Sequence, residues 1–258
     1  MAKTFDDLRN GVVLAELGGY GDGPYCARHG AGAALVMLGT YIVDPGPNVP
    51  YPPRFVFEPG RSHYAAYLAE HVAAARASGA KVGVSAISVK LEDTLDFLLA
   101  AEEAGADYAS LCAHSVMEMF VREGLGEALC YLENRAELAR WAEALVQRLR
   151  IPVIFKIGFA NAADTAAAID TMAATGVALV HVNLGACDAG SEGLVALPDL
   201  ATRCSFVIAG GGIADADGAR RVLDAGASAV AVGTAAMKDP AFCGRLQQEL
   251  RSQSKGER

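Results

Sequence analysis

The chain has little positive charge, no paired cysteines and no apolar run long enough to cross a membrane. Its 22 lysines and arginines are outnumbered by 30 aspartates and glutamates, which gives a formal net charge of −8. A surface of that sign suits neither nucleic acid nor an anionic membrane, so we expect neither as a partner. The six cysteines are scattered without a CxxC pair, which favours reduced thiols, a cytoplasmic location and no structural zinc site.

Aromatic residues are also scarce, at 7%, whereas alanine and glycine are abundant. This composition is typical of short strands that are buried on both faces and covered by helices. The N-terminal residues are polar and contain no apolar signal segment. The length of 258 residues fits one barrel domain, and no change in composition divides the chain, so we expect a single domain over 1–258.

Eight short apolar segments alternate with helical patterns along the chain. The predicted strands are 11–15, 33–38, 81–86, 108–112, 152–157, 178–183, 206–209 and 229–232. Such alternation predicts a parallel sheet, and eight repeats predict a closed α/β barrel, the (β/α)₈ TIM barrel, over about 11–251, followed by a polar tail at 252–258. An open doubly wound sheet is the alternative, but the glycines at 18–23 do not have the GxGxxG spacing of that fold.

The segment 39–59 contains six of the chain's ten prolines. Proline removes a backbone donor and fixes φ, so this segment can be neither a regular helix nor a central strand. We predict a long loop here. A loop of this length in a compact domain is usually a lid or a binding loop, and otherwise a mobile connection.

Glycines follow both of the last two predicted strands. Gly210, Gly211 and Gly212 come after the seventh, and Gly233 with Thr234 comes after the eighth. Glycine lets the backbone approach a ligand, and successive N–H groups can point at an anion. In (β/α)₈ barrels these two loops frequently form a phosphate site. We therefore predict a phosphate-bearing ligand.

Lys156 interrupts the fifth predicted strand near its carboxyl end, where barrel enzymes place their active sites. A buried lysine is costly unless it is paired or functional. Three roles fit: a Schiff-base nucleophile, a cation against a flavin ring, or a salt bridge with Glu16 or another carboxylate.

His181 interrupts the sixth predicted strand in the same way, and His114 and Ser115 follow the fourth. His181 could act as an acid/base or a hydrogen-bond donor, although a satisfied core histidine is the plainer interpretation. His114 or Ser115 could handle a substrate proton. The sequence has no HExxH or zinc-ligand cluster, so we predict no metal. Three further histidines fall on predicted helices and are expected at the surface: His29, His63 and His71.

Several segments together resemble the FMN-binding barrels of the dihydrouridine synthase and dihydroorotate dehydrogenase superfamily. They are VVLAELGGYGDGPYCARHGA, GLGEALCYLENRAEL, VIFKIG, VHVN, IAGGGI and GASAVAVGTAAMKDP, and the resemblance runs from about residue 11 to 242. It implies an FMN cofactor. It also implies that Lys156 and His181 contact the flavin ring, and that Gly211, Gly212, Gly233 and Thr234 surround its phosphate.

The chain departs from the dihydrouridine synthases at three site positions. Ser115 stands where those enzymes carry a catalytic cysteine, Glu16 replaces a proline, and Ser85 falls where a glutamine contacts the flavin. The resemblance also does not extend to their C-terminal helical tRNA-binding domain. The chain looks closest to the short archaeal-type barrels of this group that lack that domain, and we do not expect tRNA as a substrate.

Three hypotheses follow. The first is an FMN-dependent oxidoreductase acting on a small molecule, in which Lys156 and His181 tune the ring. The second is a flavin-free lyase, isomerase or synthase of a phosphorylated or anionic metabolite, for instance in cofactor biosynthesis, with Glu16, Lys156 and His181 as acid/base or Schiff-base groups. The third is a non-catalytic binding or assembly protein, against which the buried lysine and histidine argue. The sequence leaves open whether the chain forms a homo-oligomer.

Overall fold

The structure, a computed structural model, describes residues 5–44 and 49–253. Its strands are β1 (Val12–Leu14), β2 (Leu35–Val43), β3 (Val56–Phe57), β4 (Lys81–Ile87), β5 (Tyr108–Ala113), β6 (Val153–Gly158), β7 (Leu179–Asn183), β8 (Phe206–Gly210) and β9 (Ala229–Val232). All of their pairings are parallel, and β1 pairs with both β2 and β9. This closes eight strands into a barrel, with β3 added beside the end of β2. The predicted single-domain (β/α)₈ TIM barrel is confirmed.

Helices follow the strands and cover the outside of the barrel. They are α1 (Gly23–His29), α2 (Ala65–Ala75), α3 (Leu91–Glu103), α4 (Glu118–Val121), α5 (Arg135–Arg148), α6 (Ala162–Ala174), α7 (Glu192–Leu200), α8 (Ala216–Asp224), α9 (Thr234–Lys238) and α10 (Phe242–Gln253). Asn161 and Asp215 begin α6 and α8 by accepting a backbone N–H from the first turn. Within the described ranges, no helix has the length and apolar character needed to span a bilayer.

The inside of the barrel has an apolar floor and a polar mouth. The floor is one buried cluster that includes Val13, Leu35, Ile154, Leu179 and Phe206. Strand side chains alternate between faces, so the next inward positions on β6 and β7 lie two residues further along each strand. These positions are Lys156 and His181, which are paired across the two strands. The packing of the floor residues therefore fixes the strands that carry the polar mouth residues.

The prediction of a loop over 39–59 is wrong for its first residues. β2 continues to Val43 instead of ending at residue 38, because the β-favouring residues after Gly39 resume pairing with β4 beyond a register shift. A short 3₁₀ turn (Pro53–Phe55) and β3 occupy part of the rest. Residues 45–48, which hold two of the prolines, lie outside the described residues.

One further boundary differs from the prediction. At the C-terminal end, α10 runs to Gln253 and takes in the first two residues of the predicted polar tail. The remainder of that tail, 254–258, lies outside the described residues.

Candidate active site

A cavity of about 710 Å³ opens at the carboxyl ends of the barrel strands. Its inner end is formed by the buried side chains of Glu16 and His181 and by Lys156, whose side chain is 12% exposed. Its outer end is more exposed and contains Gly210, Gly211, Gly212, Gly233, Thr234, Lys238, Phe242 and Arg245. The structure therefore brings the predicted ring-contacting residues and the predicted phosphate loops into one cavity.

At the inner end, the Glu16 carboxylate lies between the two other side chains. Lys156 Nζ is 3.5 Å from Glu16 Oε2 and donates to the Glu16 carbonyl oxygen at 3.4 Å. His181 Nδ1 is 3.7 Å from the same Oε2, and the Ser110 hydroxyl donates to Oε1 at 3.5 Å. The salt bridge between Lys156 and Glu16, one of the roles that the sequence left open, is present.

Burial determines the charges in this cluster. Burial alone would raise the pKa of the Glu16 carboxyl, but the adjacent Lys156 ammonium holds that pKa below its usual value. Burial lowers the pKa of His181 to about 3, so its imidazole is neutral near pH 7. The inner end therefore contains one anion, one cation and one neutral imidazole, with a net charge of zero.

Glu16 has an unused hydrogen-bonding position. Its Oε2 is buried and has no hydrogen-bond partner among the described residues, only the two longer contacts with Lys156 and His181. A buried carboxylate oxygen without a donor is costly. Because Glu16 lines the cavity, a ligand at the inner end could supply the missing donor.

The glycines of the outer end are explained by different structural reasons. A Cβ on Gly210 would lie 2.6 Å from the Ala231 carbonyl oxygen, and one on Gly211 would lie 2.7 Å from Asn183 Oδ1. Gly212 has a φ of +73°. Gly233, by contrast, has a negative φ, and its Cβ would contact the tip of Leu17 at 3.1 Å. A side chain at position 233 would press only on the tip of Leu17, so packing within the protein gives a weak reason for glycine there. Close approach of a ligand to the backbone gives a stronger reason.

Two cationic side chains, which the sequence did not predict as site residues, border the outer end. Lys238 is the last residue of α9, and Arg245 lies in α10, where it forms a 2.7 Å ion pair with Asp239. Both line the same cavity as the glycines. The KDP that follows the second glycine loop was a visible signal for Lys238. Nothing in the local pattern marks Arg245, because it reaches the cavity only through the packing of α10.

His114 contacts a second, smaller cavity of about 200 Å³. Its Nε2 lies 2.9 Å from the side-chain nitrogen of Asn183, whose Oδ1 accepts from the Gly185 N–H at 3.1 Å. The Asn183 amide therefore donates to His114 Nε2, which leaves the proton of the imidazole on Nδ1. Burial lowers the pKa of His114. Asn183 lines both cavities, whereas His114 lines only the smaller one.

The structure places the two serine candidates away from the inner end. Ser115 Oγ accepts from the Met117 N–H at 3.4 Å, beyond the end of β5. Ser85 is fully buried in β4, where its hydroxyl lies 3.1 Å from the Thr40 hydroxyl. Neither serine lines the large cavity. Their catalytic and flavin-binding roles stay predictions.

The proline-rich segment packs over the loop that follows β1. The Tyr51 hydroxyl donates to the Thr40 carbonyl oxygen at 3.2 Å and lies so near Gly18 that a Cβ there would be 2.0 Å away. Arg54 donates to the Gly19 carbonyl oxygen at 3.3 Å. The described part of this segment thus covers the backbone next to Glu16, and its action as a lid stays a prediction.

One of the histidines expected at the surface is buried. His29 is 8% exposed, its Nδ1 lies 2.7 Å from the Ala236 carbonyl oxygen, and its ring stacks on Tyr25. The prediction was wrong because α9 folds back over α1. His63 is exposed, and His71 accepts from the Gly23 N–H at 2.9 Å.

Comparisons with known proteins agree with the barrel fold. The model of a family described as histidine biosynthesis protein matches residues 160–255. No curated protein matches the chain. Among solved structures, a DHODH from Eimeria tenella in complex with ferulenol has 18% identity and a TM-score of 0.68, with 93% of this chain and 80% of that chain covered. A FabK mutant from Thermotoga maritima has 15% identity and a TM-score of 0.57, with 90% and 63% covered.

These likenesses bear on the sequence resemblance in different ways. At such identities, the two solved structures show the fold alone. The DHODH and FabK structures therefore leave the superfamily resemblance a prediction. The histidine biosynthesis match covers the glycine loops of the outer end, which many phosphate-binding barrels share. The specific resemblance to dihydrouridine synthases stays a prediction.

Proposed function

We propose that this protein is an FMN-dependent oxidoreductase that acts on a small molecule in the large cavity. One observation carries the proposal: a single cavity joins an outer end containing Gly233, where a Cβ would press only on the tip of Leu17, to an inner end containing the largely buried Lys156. FMN has a phosphate at one end and a redox-active ring at the other. When bound, it would supply hydride transfer to or from the substrate.

The outer end would hold the phosphate. Gly212 and Gly233 allow the backbone to approach it, the Thr234 hydroxyl can donate to it, and Lys238 and Arg245 provide positive charge. Gly210 and Gly211 shape the loop, because side chains there would collide with β9 and with Asn183.

The inner end would hold the ring. Lys156 can donate to a ring oxygen while it keeps its contact with Glu16, and the neutral His181 can donate or accept one hydrogen bond. Tyr51 covers the backbone beside Glu16 and helps to exclude water. His114 and Ser115 remain our candidates for the substrate proton. The acidic surface favours a small molecule over nucleic acid.

The first test is the visible absorption spectrum of the freshly purified protein, followed by heat release and mass identification of any chromophore. We expect FMN in a ratio approaching one per chain. Lys156→Ala should abolish its retention, whereas the control Lys81→Ala, at the opposite end of the barrel strands, should not. Unchanged FMN in Lys156→Ala would remove Lys156 from the site.

A flavin-free lyase, isomerase or synthase is the second candidate. Glu16, Lys156 and His181 form an acid/base set that needs no cofactor, and the histidine biosynthesis match covers the phosphate-type loops. A colourless protein that also fails to take up added FMN would favour it. Borohydride trapping of a carbonyl substrate on Lys156 would then support a Schiff-base mechanism, and a failure to trap any of a broad set of phosphorylated carbonyl compounds would count against it.

A further inference from the structure

Glu16 gives the inner end of the cavity an unusual charge for a site that holds a flavin ring. A lysine alone would stabilise the negative charge that a flavin ring acquires on reduction. Here the carboxylate of Glu16 lies 3.5 Å from Lys156 Nζ and is 1% exposed. The lysine is therefore already matched by an anion before any ligand arrives.

Two other titratable side chains described at the inner end, His181 and Cys112, add no charge to this balance. His181 is neutral near pH 7, because burial lowers its pKa to about 3. The buried Cys112 thiol also borders the cluster, and burial raises its pKa, so it is neutral as well. A second anion at the inner end would leave a net negative charge in a buried environment, which is unfavourable.

The free position on Glu16 indicates what the inner end would accept. Glu16 lines the cavity, and its buried Oε2 has no hydrogen-bond partner among the described residues beyond the longer contacts with Lys156 and His181. An uncharged ring with an N–H group would provide that donor and add no charge. The oxidised flavin ring has these two properties, whereas a ring that has accepted a hydride keeps an N–H group but carries a negative charge.

We propose that Glu16 makes the inner end selective for the oxidised, uncharged flavin ring over the reduced, anionic one. This inference rests on the proposed binding of FMN. It gives Glu16 a role that the sequence resemblance does not supply, since the resembling enzymes have proline at this position. Glu16 acts here by contact with the ring and by its charge, so it lowers the tendency of bound FMN to accept electrons.

The test is a pair of anaerobic titrations of the apo-protein, one with oxidised FMN and one with FMN reduced by dithionite. For the wild type, we expect reduced FMN to bind at least threefold more weakly than oxidised FMN. In Glu16→Gln, which keeps the size of the side chain and removes its charge, the ratio should shift at least tenfold in favour of reduced FMN. Tenfold corresponds to a midpoint potential about 30 mV higher for a two-electron couple.

The control is Glu118→Gln, which removes an equal charge from an exposed residue of α4. It should leave the ratio at the wild-type value. Tighter binding of reduced FMN by the wild type, or an unchanged ratio in Glu16→Gln, would overturn the proposal while leaving FMN binding intact. The comparison of oxidised with reduced FMN on the wild type needs no substitution, so it tests the selectivity of the inner end even if Glu16→Gln folds poorly. Absence of binding in both redox states would instead overturn the proposed function, and this inference with it.

Discussion

Ile154 and Lys156 lie two residues apart on one face of β6, and Leu179 and His181 do the same on β7. The first of each pair belongs to the apolar floor of the barrel, and the second belongs to the polar mouth. Floor residues contribute stability through close packing, by about 2 kcal/mol for each fully buried aliphatic side chain. Mouth residues cost desolvation free energy unless they are paired.

The floor residues stabilise the barrel, whereas the mouth residues supply the charged and polar groups of the cavity. The pairing of Lys156 with Glu16 offsets much of the cost of burying both charges, but replacing them with apolar groups would stabilise a barrel just as well. A buried ion pair beside a cavity is therefore better explained by ligand chemistry than by stability. Four predictions test this contrast.

The largest effect should come from breaking the ion pair. Lys156→Met leaves Glu16 as a buried, uncompensated carboxylate, so we expect the free energy of unfolding to fall by about 3–5 kcal/mol. Adding Glu16→Gln should restore most of that stability without restoring FMN retention. Urea unfolding and flavin content measure the two effects. A double variant as unstable as the single one would show that the pairing is not the cause.

The second-largest effect should come from a substitution in the apolar floor. Ile154→Ala should lower the free energy of unfolding by about 3 kcal/mol through loss of buried area and creation of a cavity. The affinity of the folded protein for FMN should stay within about twofold, because the Ile154 side chain packs in the floor cluster, away from the inner end. A large loss of FMN affinity in a folded Ile154→Ala variant would contradict the division between floor and mouth.

Acid should destabilise the mouth through His181. The pKa of His181 is about 3 in the folded protein and about 6.5 when exposed, so below pH 6.5 the unfolded chain binds a proton that the folded chain does not. The free energy of unfolding should therefore fall by about 1.4 kcal/mol for each pH unit below 6.5 from this residue. The lowered pKa of Glu16 acts in the same direction below its ordinary value of 4.5.

Urea unfolding at pH 7.5 and 5.5 checks this prediction. The wild type should lose about 1 kcal/mol more between these conditions than His181→Asn does. Equal losses in the two proteins would mean that the pKa of His181 is not lowered in the folded state, so that its protonation at pH 5.5 would place a positive charge at the inner end.

The smallest effect should come from Gly233→Ala. A Cβ there would lie 3.1 Å from the tip of Leu17, and because this flexible side chain can shift, stability should change little. Affinity for FMN should fall about fivefold, the loss expected when one backbone hydrogen bond to the phosphate is weakened. Riboflavin, which lacks the phosphate, should bind equally well to both proteins. An equal loss for riboflavin would place Gly233 away from the phosphate.

The sequence predicted the features that depend on local pattern. The alternation of strands and helices predicted the barrel, and a polar residue inside an apolar strand marked Lys156 and His181 as mouth residues. Glycines after two strands revealed the outer end. Each of these signals lies within one strand or one loop.

The features that the sequence did not predict depend on contacts between distant segments. His114 and Asn183 are 69 residues apart, and no local pattern indicates that the amide fixes the imidazole proton. Arg245 reaches the cavity only because α10 packs beside β1. The extension of β2 past Gly39 depends on pairing with β4, and that tertiary pairing overrode the loop signal of the nearby prolines.

We propose that the mouth holds FMN with its phosphate at the glycine loops and its ring beside Lys156. A crystal structure of the protein grown with FMN tests this placement most directly. We expect density for the phosphate against Gly212 and Gly233, and for the ring within hydrogen-bond distance of Lys156 and Glu16. Density for FMN elsewhere, or a ring that contacts neither residue, would contradict it.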